Sequence, residues 1–318
     1  MGYRYRVGVD ENGLGPRLGP LVVTAVMARV DATGAAVVGR KARGALARRL
    51  GDSKGLVAHG SVGLGQAWAR ALGGPALDTP DELVRALALE PPEELRAPCP
   101  AHVLPQCWGT GGEAFLDDEP SRELEREVAR DLGKLAQRGV ELVAVRSSVV
   151  CVRRINDAQA EGRSRSALDL HAMERLVLAL RAEAGEELRA VCGKVGGFKS
   201  YGPAFGPLAG RLHAVVEETP DRSAYRFPGL GELAFEQDCD AHDLLVGMAS
   251  LVGKWLRELL MARIVRHYRA RDADLPDASG YHDPVTGRFV VATEHLRRAA
   301  RVPDACFERA RAGRPKEP

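Results

Sequence analysis

The sequence predicts an α/β protein on three observations. Two apolar, β-branched stretches, Tyr3 to Val9 and Leu21 to Val30, flank a turn-rich segment and read as a strand pair. An amphipathic pattern at Glu123 to Arg138 runs into a buried-strand pattern at Val140 to Val145, the helix-to-strand alternation of an α/β sheet. Ala241 to Tyr268 is continuously helical in pattern and puts a long helix late in the chain.

Composition sets the outer bounds. With 318 residues, 45% hydrophobic and 28% charged, the chain suits one large or two modest globular domains with a sizeable core. A net charge of only +2 means that any nucleic-acid surface must come from local clusters of Arg and Lys. No apolar run approaches membrane-spanning length, and the N-terminus enters a strand without a signal-peptide profile, so a cytoplasmic protein with no membrane partner is expected. Six cysteines at 99, 107, 151, 192, 239 and 306 are too sparse for a disulfide framework and are expected to be reduced.

The strands are joined by Val7 to Val22, VGVDENGLGPRLGPLV, in which Asp10 is expected to close the first strand and Pro20 to open the second. Consecutive strand side chains point to opposite faces. Asp10 and Glu11 therefore converge on one ligand only if the chain leaves the extended conformation there, a departure that Asn12 and Gly13 would supply. Gly13 and Gly15 offer backbone N–H groups that a phosphate or ribose can approach with no Cβ in the way. A dinucleotide fingerprint is disfavoured, because Gly13, Gly15 and Gly19 are spaced one residue too long and a β-branched run follows where a helix is required. A tight hairpin with a solvated acidic turn explains the glycines but not two acids at a strand end. A metal site for phosphoryl chemistry explains both, with an aspartate at the end of a central strand bridging hard cations and its neighbour binding one of them.

DENGLGPRLGP resembles the opening motif of type 2 ribonucleases H, Asp-Glu-x-Gly-Arg-Gly-Pro-x-x-Gly-Pro. In that family the Asp and Glu are catalytic metal ligands and the Gly-Arg-Gly backbone reads a ribose 2′-OH. Asp10, Glu11, Gly13, Gly15, Pro16, Gly19 and Pro20 match in spacing, and Leu14 replaces the arginine.

The resemblance continues in pieces. Asp52-Ser53-Lys54-Gly55-Leu56 is similar to the family's Asp-Ser-Lys-Lys-Leu, which implies that Ser53 and Lys54 lie near substrate phosphates; on its own it is a capped helix-entry turn. Helical patterns at His59 to Leu72 and Thr79 to Leu89 flank a loop, Pro91 to Trp108, that fits the family poorly and reads as an insertion. Cys99, His102 and Cys107 there suggest a zinc knuckle but lack a fourth ligand at a recognised spacing. Ile155-Asn156 and the helical stretch Ser166 to Glu183 are similar to the family's Ile-Asn segment and its following helix.

Leu188 to Cys192 reads as a short strand, and Cys192 stands where the family has its third catalytic aspartate. From that position it is expected to point into the same pocket as Asp10. A thiol is a poor ligand for Mg²⁺, which takes oxygen. Lys199, in the turn-rich Gly196 to Tyr201, is a candidate phosphate contact. Asp240 precedes Ala249-Ser250-Leu251-Val252-Gly253-Lys254 and Arg257-Glu258, similar to the family's Asp ahead of Ala-Ser-Ile-x-Ala-Lys-x-x-Arg-Asp, with the same ten-residue step from acid to serine. This implies a fourth carboxylate; read alone, Asp240 is an N-cap. Lys254 shares a helix side with Ser250 and Arg257. Gly280-Tyr281 resembles the family's Gly-Tyr, whose tyrosine packs on a sugar, with Ser279 in place of a lysine, and Glu294-His295 opens a last helix.

Taken together, the resemblance implies a ribonuclease H-like mixed sheet flanked by helices. The catalytic core would span 1–238 with insertions near 90–118 and 200–235. Residues 239–312 would form the long helix and a helical C-terminal portion completing the site, ahead of a disordered tail, 313–318. Asp10, Glu11 and Asp240 would hold Mg²⁺ or Mn²⁺. Gly13, Leu14, Gly15, Ser53, Lys54, Lys199, Lys254 and Tyr281 would contact an RNA–DNA hybrid or DNA containing ribonucleotides. Metal-activated water would attack a phosphodiester on the 5′ side of a ribonucleotide, leaving 3′-OH and 5′-phosphate ends, and the enzyme would act as a monomer. The alternative is a catalytically impaired binding module on the same fold, motivated by Leu14 and Cys192.

Overall fold

The computed structural model describes residues 2–51, 53–198 and 200–310, without the side chains of Ser53 and Lys54. One mixed sheet holds seven strands: β1 (Tyr5–Asn12), β2 (Leu21–Val30), β3 (Val140–Val150), β4 (Leu188–Gly193), β5 (Ala214–Glu218), β6 (Arg222–Phe227) and β7 (Gly231–Glu236), in the order β3-β2-β1-β4-β7-β6-β5. β1, β4 and β7 run parallel, and the remaining neighbours are antiparallel. The parallel trio delivers Asn12, Gly193 and Glu236 to one edge, the end of a sheet where ligands are usually bound.

Strand alternation divides the interior in two. Val22, Val26, Ala28 and Val145 pack with the helices Gly63–Gly73 and Leu244–Arg269 on one face. Val7, Val9, Val23, Ala25 and Cys192 pack with the helix Arg165–Ala184 on the other. The Leu244–Arg269 helix is buried around most of its circumference, and its buried charges are paired, Arg257 with Glu258 at 2.6 Å and Arg263 with Glu113 at 2.7 Å. It lies directly on β1: a Cβ built on Gly8 would stand 2.2 Å from the Val246 nitrogen. Its C-terminal half joins Leu18, Phe289 and Phe307 in a third core under the last helices, Pro284–Ala292 and Glu294–Ala299. The mixed sheet, flanking helices and helical C-terminal part are those expected from the sequence. No helix among the described residues is long and apolar enough to cross a membrane.

Several local expectations are corrected. β1 continues through Asp10 and Glu11 to Asn12, because all three keep paired with β2. The 91–108 loop folds into two short helices, Pro92–Arg96 and Leu104–Trp108, each with a proline in its first turn, where the missing N–H has no intrahelical partner to lose. Residues 200–235 add β6 and β5 beyond β7 at one edge of the main sheet, which leaves their reading as an insertion untouched. The long helix starts at Leu244, because Asp243 caps it by accepting from Leu245 and Val246 N–H (2.9 and 3.2 Å). His102 bonds to the Arg301 carbonyl (3.0 Å), and Cys99 instead meets the thiols of Cys151 and Cys306.

Candidate active site

Asp10 and Glu11 leave β1 in opposite directions. Asp10 pairs with Thr24 and faces the Leu244–Arg269 helix, where the Ser250 hydroxyl bonds its carboxylate. Burial, followed by the negative charges of Glu11 and Asp240, pushes its pKa up to about 7 against the Ser250 bond and a backbone N–H from Glu11. Glu11 pairs with Val23 and turns toward the other core, its Oε2 accepting the Leu14 N–H at 3.1 Å. Asp240 sits in a single 3₁₀ turn, Cys239–Ala241, between β7 and the long helix, with the capping left to Asp243.

These three acids line one open cleft of about 390 Å³. Gly13, Leu14, Gly15, Gly193, Glu236, Ser250, Lys254 and Tyr281 are also in its lining. Gly13 needs its φ of +95°, and a Cβ there would stand 2.9 Å from Arg257, so this turn is closed to other residues. Arg257 is fully buried and stacks under Tyr281 at 4.3 Å, while Tyr281 itself is 41% exposed. The Gly280 carbonyl accepts from Arg17 and Leu18 N–H, tying the tyrosine's turn to the glycine loop.

Arg309 holds the loop from beneath, and no sequence pattern marked it. Its guanidinium donates to the carbonyls of Gly13 (2.6 Å), Leu14 (3.2 Å) and Gly19 (3.0 and 2.8 Å). Asn156 positions it by bonding Ala305, Glu308 and Ala310 backbone. The Leu14 side chain packs against the sheet's second core.

Cys192 does not reach the cleft. It pairs with Val9 in β1 and shares its face, so the thiol is fully buried in the core. Gly193 stands beside Asp10 instead: a Cβ there would lie 3.4 Å from Asp10 Oδ1. Asp169 is an acid that motif reading missed. It is fully buried on the Arg165–Ala184 helix, and neither carboxylate oxygen has a hydrogen-bond partner among the described residues. Burial, then Glu11, then Asp10 hold its pKa well above the ordinary carboxylate range. The available signal was an acid on the apolar side of a helix. Glu236 was also missed; it pairs with Gly193 and accepts from Arg222 at 2.9 Å. The side chains of Ser53 and Lys54, and Lys199 as a whole, lie outside the described residues. Among the described residues, no three His, Cys, Asp or Glu side chains are grouped as they would be around a bound metal ion.

The strand order and directions, with an aspartate at the end of β1, fit the ribonuclease H-like class that the sequence resemblance implies. No protein-family model matches the chain, and neither does any curated protein. Among solved structures, the chain is similar to ribonuclease HII of Archaeoglobus fulgidus, solved in complex with PCNA (14% identity, 98% of this chain and 97% of that one, TM-score 0.41). It is also similar to ribonuclease H2 of Pyrococcus horikoshii OT3 (14%, 95% and 92%, 0.40) and to Bst-RNase HIII in complex with Mn²⁺ (12%, 97% and 67%, 0.42). At these identities no residue role is carried across.

Proposed function

We propose that this chain is a divalent-metal-dependent endonuclease that cuts the RNA strand of RNA–DNA hybrids or DNA at embedded ribonucleotides. Asp10 carries the proposal. It lies at the end of a strand in the parallel trio, its ionisation is opposed by burial and by two further carboxylates, and it opens on a cleft walled by glycine backbone. Mutual repulsion of that kind is relieved when a cation is bound, and carboxylate oxygens suit hard ions such as Mg²⁺ or Mn²⁺. Asp10, Glu11 and Asp240 would hold the cation.

A cation held there supplies Lewis-acid chemistry, acidifying water and screening the charge of a phosphodiester. Ser250 orients Asp10 through their hydrogen bond. Gly13 and Gly15 let a ribose approach the backbone, Lys254 provides a point charge for a phosphate, and Tyr281, backed by Arg257, offers a face for a sugar. Leu14, packed inward, leaves recognition at its position to main-chain groups. The test is cleavage of an RNA–DNA hybrid in Mg²⁺ or Mn²⁺, with activity lost in chelator and in Asp10→Asn. A folded wild type that binds hybrid yet cuts in neither metal would favour the second reading, a binding module with salt-dependent affinity, which the lack of an acid at Gly193 supports.

A further inference from the structure

We propose that Asp169 is the third carboxylate of the cation site, supplied from the Arg165–Ala184 helix in place of the β4 position that Cys192 and Gly193 leave without an acid. The inference rests on the nuclease reading and names a ligand which that reading lacks.

Helical spacing puts Asp169 on one side with Ala172, Met173 and Leu176, all packed against the sheet face that carries Val9, Val23 and Cys192. Strand alternation turns Glu11 toward the same face. The helix thus presents Asp169 below the end of β1, on the side Glu11 occupies. Asp169 and Cys192 are both fully buried on this same side of the sheet, and the charge of Asp169 is the largest of those acting on the thiol.

Burying a carboxylate without a partner is strongly unfavourable, and an apolar residue would pack better in this core. Glu174, a little more than one turn along the same helix, provides the contrast. It too is fully buried, but it accepts the N–H groups of Gly206 (3.2 Å) and Leu208 (2.7 Å) and so has a structural task. Asp169 has no such bond among the described residues, and the charges acting on it, Glu11 and then Asp10, are both negative. A cation between Asp169 and Glu11 gives its two oxygens a partner and removes the repulsion. The donor set of Asp10, Glu11, Asp169 and Asp240 is then all oxygen and fits Mg²⁺ or Mn²⁺.

The experiment is calorimetric titration of Mn²⁺ into the full chain, as wild type, Asp169→Asn, Asp169→Leu and Asp10→Asn, with thermal denaturation of each metal-free protein. The expected result is an affinity loss of about tenfold or more in both Asp169 variants. Their metal-free Tm should equal or exceed that of the wild type, because an unpaired buried acid has gone. Wild-type affinity in either folded Asp169 variant, alongside a loss in Asp10→Asn, overturns the assignment and leaves the nuclease reading standing. A wild type that binds no Mn²⁺ overturns both.

Discussion

Replacing Arg309 by Met should loosen the glycine loop from beneath and destabilise the whole chain. The guanidinium is 3% exposed and makes four N–H···O contacts to three loop carbonyls. Met fills much of the volume but donates nothing, so the carbonyls of Gly13, Leu14 and Gly19 lose that donor. A buried polar group left without its partner costs about 1–3 kcal/mol. Against this, burial and the nearby Arg165 and Arg257 pull the Arg309 pKa down to about 9, a penalty the uncharged variant escapes. The lower end of the range therefore applies, giving about 3 kcal/mol in all. At about 2 °C per kcal/mol for a chain of this size, Tm should fall by about 6 °C. Arg309→Lys should recover only part of the loss, since an ammonium keeps donors but not the planar fork that spans the three carbonyls. Circular dichroism melts of the three proteins measure this, with limited proteolysis of the 13–19 segment as a local readout. A Tm within about 1 °C of wild type in Arg309→Met would show that the clamp carries no net stability, contrary to the reasoning from buried donors.

Three further outcomes follow from the same geometry. Burial raises the pKa of Glu174 to about 7 despite its bonds from Leu208 and Gly206, so the native state holds the proton more tightly than the unfolded chain. Its stabilising contribution is complete below the ordinary carboxylate range and is lost as pH rises through about 7; urea midpoints of wild type should fall relative to Glu174→Gln between pH 5 and pH 8, and parallel curves would contradict this. Gly8→Ala should cost about 3 kcal/mol or prevent folding, because the new methyl meets the Val246 nitrogen at 2.2 Å and both strand and helix must shift; a denaturation midpoint equal to wild type would refute that. Cys99 touches both Cys151 and Cys306, so the two-electron oxidant diamide should join it to one of them, removing thiols that Cys99→Ser retains in a thiol titration; equal thiol loss in the two proteins would count against the contact.

Residues whose local pattern and neighbours agree were legible in the sequence. The strand pair around Asp10, the Glu119–Gln137 helix leading into β3 and the long Leu244–Arg269 helix all carry their periodicity on the surface of the text. The extent of β1 was less legible, because Asn12 and Gly13 look like a turn while pairing with β2 holds Asp10 to Asn12 extended. That single misreading changes the picture of the site, since Glu11 then enters the cleft from the strand face opposite Asp10, the face that packs on the Arg165–Ala184 helix. Register also explains Cys192: a one-residue step decides whether a side chain enters the core or the cleft, and no motif fixes it. Arg309 and Asp169 act from 296 and 159 residues away from Gly13 and Asp10 along the chain, distances over which local pattern says nothing. The 3₁₀ turn at Asp240 was hidden by Asp243, one of two acids able to cap the same helix.

The most direct test of the account is product mapping on a DNA duplex carrying one ribonucleotide, incubated with wild type and with Asp10→Asn in Mg²⁺, in Mn²⁺ and in chelator. The account predicts a single metal-dependent cut on the 5′ side of the ribonucleotide, with 3′-OH and 5′-phosphate ends, absent in chelator and in Asp10→Asn. An intact duplex with folded wild type in both metals would contradict it, as would the same cut persisting in Asp10→Asn.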